Sequence, residues 1–339
     1  MPISSPASPL DLELRSGKPP VLHARAADGT PPGDPGHWTA EQHDALHALV
    51  AEHGAVLVRG LGLRDADGTG TVFRRLAKAL MTEKEAFAAR RAYAPGVYSS
   101  AQWPPNQPMC MHHELSYALE FPGLMLFACL GAPTEGGATA VSDSSAVLEA
   151  LPGELTERFE REGWLLTRSY NDDIGASVAE AFGTEDRAAV ESYCRANAIE
   201  FAWQPDGSLH TRQRRSAVVR HPATGARCWF NQIAFLNEWT MAPEVREYLV
   251  DVYGADGLPF NTRYGGGDPI GADVVQLLNT TYEDKTVREP WQAGDLMMVD
   301  NVRTAHSREP YEGPREVLVG MADPVRLADC SPSVEVTTE

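Results

Sequence analysis

The feature that most constrains the fold is a series of short strand-like segments separated by glycine and proline turns. The chain has 29 Gly and 25 Pro among 339 residues, a composition that favours short strands over long helices. The continuous apolar run GLMLFACL at 123–130 is predicted to be a central strand. Between 199 and 232, short strand-like pieces alternate with Asp-Gly and Thr-Gly turns, which indicates β-hairpins.

Helical patterns lie between these strand-like segments. A helix is predicted from Thr39 to Gly54, with Thr39 and Gln42 as a capping box and Leu46 and Leu49 on the apolar face. Further helical segments are predicted around 71–80, 144–163 and 272–283.

The order of elements predicts one α+β domain over 21–339, with a strand-rich core and helices packed outside. Residues 1–20 are rich in Pro and Ser and are predicted to form a loose N-terminal arm or an edge segment. The polar, partly helical stretch 171–197 is predicted to be an insertion or lid that covers a site.

Charge and cysteine usage exclude several classes of protein. The net charge is −18 and no Lys/Arg-rich run is present, which argues against nucleic acid or an anionic membrane as a partner. The five cysteines are scattered and lack a CxxC pair, so reduced thiols are expected rather than disulfides or a zinc knot. Neither a signal peptide nor a bilayer-spanning run is recognisable, and a cytoplasmic location is expected.

A histidine doublet followed by a glutamate is the first chemical motif. In an extended segment His112 and Glu114 share one face, whereas His113 points to the other. Of the ten histidines, His112 alone is followed two places later by a carboxylate. On this motif alone, a buried polar pair at a strand end is the simpler interpretation.

The second chemical motif lies near the C-terminus, in GDLMMVDNVRTAHSREPYEGPREVLVGM. A strand at 295–300 leads to His306, and after a Pro/Gly turn Arg315 opens another strand. Two histidines and one carboxylate form the facial triad of non-haem Fe(II) oxygenases. An arginine on the neighbouring strand could hold a dicarboxylate by a bidentate pair.

Four segments together carry a resemblance to a known family. They are HHELSYALEFPGLMLF, PTEGGATAVSDSSAV, HPATGARCWFNQ and GDLMMVDNVRTAHSREPYEGPRE. In this order, within 54–324, the chain resembles the TauD/TfdA family of Fe(II)/2-oxoglutarate-dependent oxygenases, and in particular its SyrP-like branch. The resemblance implies a double-stranded β-helix (jelly roll) core with surrounding helices, and Fe(II), 2-oxoglutarate and O2 as cofactor and co-substrates.

The resemblance also implies roles for individual residues. His112, Glu114 and His306 match the iron ligands. Thr139 and Arg315 match residues that contact 2-oxoglutarate, and Arg308 is a second candidate for that role.

The branch that the chain resembles acts on amino acids or amino-acid-derived small molecules, free or tethered to a carrier protein, in antibiotic and other specialised metabolism. Hydroxylation or desaturation of an unactivated C–H bond is implied. Halogenation is disfavoured, because Glu114 fills a position that holds a small residue in the halogenating relatives. The residues considered for substrate contacts are Asn106, Ser116, Tyr117, Asn231, Phe235 and Arg303. The substrate and the oligomeric state stay open.

Two alternatives compete with an oxygenase. His43 and His47 imitate the HExxH motif of zinc hydrolases, but Asp44 stands at the general-base position and no third ligand is evident nearby. A non-catalytic metal-binding jelly-roll protein is the other alternative.

Overall fold

The computed structural model describes residues 11–82, 84–88, 90–171 and 173–336, so the first ten residues of the predicted arm lie outside the described ranges. The strands are β1 Leu12–Glu13, β2 Val21–His23, β3 Ala55–Arg59, β4 Ala92–Ala94, β5 Val97–Ser99, β6 Met109–His112, β7 Glu120–Gly131, β8 Glu135–Gly136, β9 Thr139–Asp143, β10 Trp164–Tyr170, β11 Glu200–Trp203, β12 Leu209–Arg215, β13 Val218–Arg220, β14 Arg227–Trp229, β15 Phe260–Tyr264, β16 Thr286–Val287, β17 Leu296–Asp300, β18 Thr304–Arg308, β19 Tyr311–Glu312 and β20 Glu316–Arg326.

The helices lie between these strands in the chain. They are α1 Pro35–Glu41, α2 His43–His53, α3 Ala66–Leu76, α4 Ser144–Ala150, α5 Gly153–Glu162, α6 Val178–Phe182, α7 Arg187–Ala196, α8 Pro243–Tyr253 and α9 Ala272–Lys285. Within the described ranges, no helix is long and apolar enough to span a bilayer.

Two largely antiparallel sheets form the core. The larger has the order β1-β2-β3-β17-β7-β20-β5-β4, and the smaller has the order β16-β9-β18-β6. One face of the larger sheet packs on the smaller one, since Phe127, Met297 and Val319 share a core cluster with Met111 and Val141. Side chains that interdigitate between two facing sheets are the basis of a jelly-roll core.

The opposite face of the larger sheet is covered by helices. Leu126, Met298 and Leu318 pack against Leu46 of α2 and Phe73 of α3. Strand β7 is therefore buried on both faces, which explains why its sequence is a continuous apolar run rather than an alternating one. The predicted central strand and the α+β class with external helices are confirmed.

A third sheet, with the order β11-β12-β10-β15, stands beside this core. The helices α6 and α7 lie within the predicted insertion 171–197 and bury Ala181 and Val190 against Tyr170 and Leu209 of this sheet. The predicted hairpins β11–β12 and β13–β14 are both present.

The helix predicted from Thr39 to Gly54 is in fact two helices. Helix α1 begins at Pro35, and the side chain of Asp34 caps it by accepting from the His37 N–H; Pro at the first helical position is a strong start signal. The Thr39 hydroxyl donates to main-chain carbonyls within α1, so the predicted capping box was wrong. The end at Gly54 is confirmed, with a left-handed C-cap.

The predicted arm at 1–20 is described only from residue 11. Within it, Leu12 and Glu13 pair with Leu22 and Val21 at the edge of the larger sheet.

Candidate metal centre and co-substrate cavity

The smaller sheet places two distant histidines side by side. Strand β18 lies between β9 and β6, and His306 is directly opposite His112 in the register of β18 and β6. The centroids of the two rings are 4.4 Å apart. Sheet pairing therefore brings together residues that are far apart in the chain.

Glu114 joins the pair from a turn rather than from the strand. Strand β6 ends at His112, and Leu115 adopts the left-handed conformation with φ 53°. Asn301 holds this turn, since its side-chain oxygen accepts from the Glu114 N–H at 2.8 Å and its amide donates to the Glu114 carbonyl at 3.0 Å. The chain just before β18 thus fixes the main chain of the third candidate ligand.

The three side chains form a compact, buried group of ligand atoms. One ligand atom from each of His112, Glu114 and His306 lies within 4.8 Å of the others, and the residues are 2%, 2% and 4% exposed. This is the only such group of three His, Cys, Asp or Glu residues in the part of the chain that the structure describes.

Hydrogen bonding shows which atoms face the centre of the group. Nδ1 of His112 donates to the carbonyl of Cys110 at 2.8 Å, which leaves Nε2 with a free lone pair. Nε2 of His306 lies 3.7 Å from Oε2 of Glu114. Two imidazole nitrogens and one carboxylate directed at one point fit a divalent transition metal.

Burial and neighbouring charges favour, in His112 and Glu114, the protonation states that bind a metal. Burial, followed by the proximity of His306, lowers the pKa of His112 to about 3. Burial alone would raise the pKa of Glu114, but the Arg90 guanidinium and the nearby imidazoles of His306 and His112 hold that pKa below its usual range. A neutral imidazole and an ionised carboxylate are the ligand forms that metals require.

His113 points away from this group. Its Nδ1 lies 2.6 Å from the carbonyl of Asn301 and its Nε2 lies 2.8 Å from Oγ of Ser144. Burial lowers its pKa to about 4. His112 and His113 therefore point to opposite sides, as expected from strand alternation, although the strand itself ends at His112.

Arg315 and Thr139 line the same cavity as the three candidate ligands. Nε of Arg315 donates to the carbonyl of Gly137 at 3.0 Å, and none of the ion pairs within the described ranges involves this guanidinium. Burial, with a contribution from Arg308, lowers the pKa of Arg315 to about 10. The cavity thus offers a cation to an anionic ligand beside the metal group.

Arg308 also lines the cavity, but its guanidinium is occupied by main-chain acceptors. It donates to the carbonyls of Trp103, Pro104 and Gln107 at 3.1, 2.7 and 2.6 Å. The Arg308 guanidinium therefore holds the 103–107 loop, and both of its Nη atoms are already used in hydrogen bonds that 2-oxoglutarate would have to replace.

The residues considered for substrate contacts lie in different places. The ring of Phe235 stacks on His112 with centroids 4.6 Å apart, beside Trp103 and Phe87. Asn106 is exposed in the loop that Arg308 holds.

None of the six residues considered for substrate contacts lines the cavity. Asn231 donates to the carbonyl of Ala217 within the core. The hydroxyl of Tyr117 donates to a main-chain carbonyl, and Ser116 is buried in the turn after Glu114. The prediction that Arg303 contacts substrate is wrong. Its guanidinium pairs with Asp143 and donates to main-chain carbonyls at the end of α2.

Two residues of the centre, Arg90 and Asn301, were not predicted from the sequence. Arg90 donates from Nη2 to both Glu114 oxygens, at 3.0 and 3.1 Å, and no local pattern announces this contact. Asn301 lies inside the C-terminal motif, where an Asn directly after a strand was a signal that could have been used.

The segment 43–47, which resembles the HExxH motif of zinc hydrolases, has no third ligand nearby within the described ranges. His43 pairs with the adjacent Asp44 at 2.9 Å, and Nε2 of His47 lies 2.8 Å from the carbonyl of Leu76. Among the described residues, neither histidine belongs to a group that could hold a metal.

Comparisons with known proteins agree with this geometry. The family model described as "Taurine catabolism dioxygenase TauD, TfdA family" matches residues 16–322. The dapdiamide synthesis protein DdaC of Enterobacter agglomerans is 34% identical over 283 residues, which are 84% of this chain and 86% of that protein. A clavaminate synthase-like protein of Arabidopsis thaliana is 28% identical over 291 residues, covering 83% of this chain and 84% of that protein.

Solved structures support the fold. PvcB of Pseudomonas aeruginosa superposes with a TM-score of 0.54 at 16% identity, covering 100% of this chain and 99% of that chain. A taurine dioxygenase from Burkholderia xenovorans has a TM-score of 0.52 at 17% identity, covering 94% and 92%. The jelly-roll prediction is confirmed, and because the family match spans most of its length, the chain belongs to the TauD/TfdA family of Fe(II)/2-oxoglutarate-dependent dioxygenases.

Proposed function

We propose that this enzyme hydroxylates an unactivated C–H bond of an amino acid or an amino-acid-derived small molecule in specialised metabolism. His112, Glu114 and His306 hold Fe(II), while Arg315 and Thr139 hold 2-oxoglutarate. The observation that carries the proposal is the shared cavity, in which three buried ligand atoms within 4.8 Å of one another face the same space as Arg315 and Thr139.

The protein's own part in the reaction is to bind, orient and exclude water. Bound Fe(II), together with 2-oxoglutarate and O2, supplies the oxidant that removes hydrogen from the substrate. Arg315 would hold the far carboxylate of 2-oxoglutarate by charge-assisted hydrogen bonds, and the Thr139 hydroxyl could donate to the same carboxylate. The surrounding apolar wall, which includes Phe127, Val317 and Val319, keeps water from the reacting C–H.

The cavity beside the candidate metal group is narrow. Its volume is about 40 Å³, below the roughly 300–1,000 Å³ of typical small-molecule sites, so we expect the cavity to widen when 2-oxoglutarate and a substrate bind. Phe235 does not line this cavity, but its ring stacks on His112 and so supports the orientation of that candidate ligand. Glu114 fills the carboxylate position, which supports oxygen insertion over halogenation.

The names of two similar proteins motivate the substrate class. One is a dapdiamide synthesis protein, and the other is described as clavaminate synthase-like. We extend from these names to an amino-acid-derived substrate, either free or tethered to a carrier protein.

Succinate release from 2-oxoglutarate tests the proposal. With Fe(II), the purified protein is incubated with a panel of free amino acids and with the same amino acids loaded on a carrier protein, and products are followed by mass spectrometry. A gain of 16 Da in the substrate, coupled to succinate, is expected. A loss of 2 Da from the substrate would show that the reaction is desaturation instead of hydroxylation.

The same assay separates the enzyme from a non-catalytic binding protein. Metal binding without consumption of 2-oxoglutarate across the panel would support the binding protein. Oxygen-independent hydrolysis that requires zinc would support the hydrolase alternative.

A further inference from the structure

The contact between Arg90 and Glu114 is a buried ion pair at the candidate metal group that the proposed reaction does not use. One guanidinium nitrogen lies 3.0 and 3.1 Å from the two carboxylate oxygens. Both side chains are buried, at 5% and 2% exposure. We propose that Arg90 is a positioning residue that fixes the orientation of the Glu114 carboxylate for the metal; this inference rests on the metal site proposed above.

A glutamate at this position needs such a restraint. Asn301 fixes the main chain of Glu114 on both its N–H and its carbonyl. The carboxylate, however, stands one rotatable bond further from the main chain than that of an aspartate. Arg90 restrains this additional freedom, and ligands held in place by a second set of hydrogen bonds bind metals more tightly.

The segment that carries Arg90 is itself anchored. Five residues earlier, Glu85 is fully buried and has a positive φ of 55°. Its carbonyl accepts from Arg168 at 2.7 Å. Its carboxylate accepts from Tyr193 at 2.8 Å and from Gln213 at 3.1 Å. Because Tyr193 belongs to α7, the segment that precedes Arg90 is held against this helix.

Charge alone predicts the opposite effect on metal affinity. A guanidinium close to a divalent cation repels it, so removing Arg90 would tighten metal binding if Coulomb repulsion dominated. Removing a positioning contact weakens metal binding instead. The direction of the change therefore decides between the two roles.

The test is an anaerobic calorimetric titration of the whole protein with Fe(II) in the absence of 2-oxoglutarate. For Arg90→Met, we expect the Kd for Fe(II) to rise roughly 10- to 100-fold, the usual effect of losing an outer hydrogen bond to a metal ligand. Arg91→Met is the matched control, because Arg91 is exposed and its guanidinium lies over the Tyr93 ring. Its Kd is expected to equal that of the wild type.

A double-mutant cycle shows whether the effect passes through Glu114. In a Glu114→Asp background the shorter carboxylate falls short of Arg90, so Arg90→Met is expected to change the Kd less than twofold. An equal loss in both backgrounds, or an unchanged or lower Kd in Arg90→Met, would overturn the proposal.

Two further measurements keep the outcomes separate. If Arg90→Met does not fold, as judged by near-ultraviolet circular dichroism, Arg90→Lys decides: a raised Kd supports the positioning role and a wild-type or lower Kd overturns it. If the wild-type protein does not bind Fe(II), the proposed metal site fails, which is a different result from an insensitive Arg90.

Discussion

Two histidine pairs in this molecule have the same spacing and opposite surroundings. The rings of His43 and His47 on α2 are 4.4 Å apart, and so are the rings of His112 and His306 in the smaller sheet. The pair on α2 is partly exposed, and each of its rings already has a protein partner. The pair in the sheet is buried and converges with Glu114.

Proximity of two imidazoles is therefore a weak indicator of a metal site. What separates the pairs is burial and a third ligand atom that converges on the same point. In α2 the helical repeat alone brings the rings together. In the sheet, two distant segments and the Asn301 contact must cooperate to do so.

The largest effect is expected from the histidine doublet. His112→Ala removes a ligand and should abolish the anaerobic absorption that Fe(II) and 2-oxoglutarate give together, whereas His113→Ala should leave it largely intact. His113 contacts Asn301 and Ser144 instead of the candidate metal group. The reverse result would show that the wrong histidine has been assigned to the metal.

The buried ion pair between Arg90 and Glu114 is expected to stabilise the metal-free protein, which an exposed ion pair is not. Arg90→Met leaves the Glu114 carboxylate buried without its cation, and the free energy of unfolding of the metal-free protein should fall by about 3–5 kcal/mol. Urea unfolding measures this loss. Arg326→Met, which breaks an exposed pair with Asp329, should cost less than about 1 kcal/mol. Equal losses would mean that burial of the pair contributes nothing.

Arg315→Ala separates co-substrate binding from metal binding. Losing a charge-assisted pair should weaken 2-oxoglutarate binding by about 1.5–3 kcal/mol, while Fe(II) affinity stays within twofold of the wild type. Calorimetric titrations with each ligand measure both quantities. Equal weakening of the two would point to a structural role for Arg315 in the sheet.

The smallest effect is expected at α2. Replacing His43 and His47 together by Ala should leave Fe(II) affinity unchanged. The free energy of unfolding should fall by less than about 1.5 kcal/mol, since the buried end of His47 loses one hydrogen bond. Loss of metal binding in this variant, measured by the same titration, would revive the hydrolase alternative.

Much of the fold was predictable because local patterns and tertiary packing agree. The apolar run at 123–130 is a strand buried on both faces, and the Asp-Gly and Thr-Gly turns join real hairpins. The break between α1 and α2 was missed, because an apolar periodicity continues through it while the stronger start signal lies earlier, at Asp34 and Pro35.

The candidate site was predictable only in part. His112, Glu114 and His306 carry recognisable spacing and family likeness, and the structure brings them together. Arg303 and Arg308 lie in the same motif, but their partners are main-chain carbonyls and Asp143, which no spacing rule identifies. Arg90 was missed because its contact with Glu114 depends on how an irregular segment packs.

The proposed metal site is tested most directly by a crystal structure of the protein with Mn(II) and 2-oxoglutarate. The crystals are prepared without oxygen, and the metal ion is located by anomalous scattering. The account predicts one strong peak bound by the Nε2 atoms of His112 and His306 and by a Glu114 oxygen, with the far carboxylate of 2-oxoglutarate on Arg315. A peak at His43 and His47, or none among His112, Glu114 and His306, would contradict it.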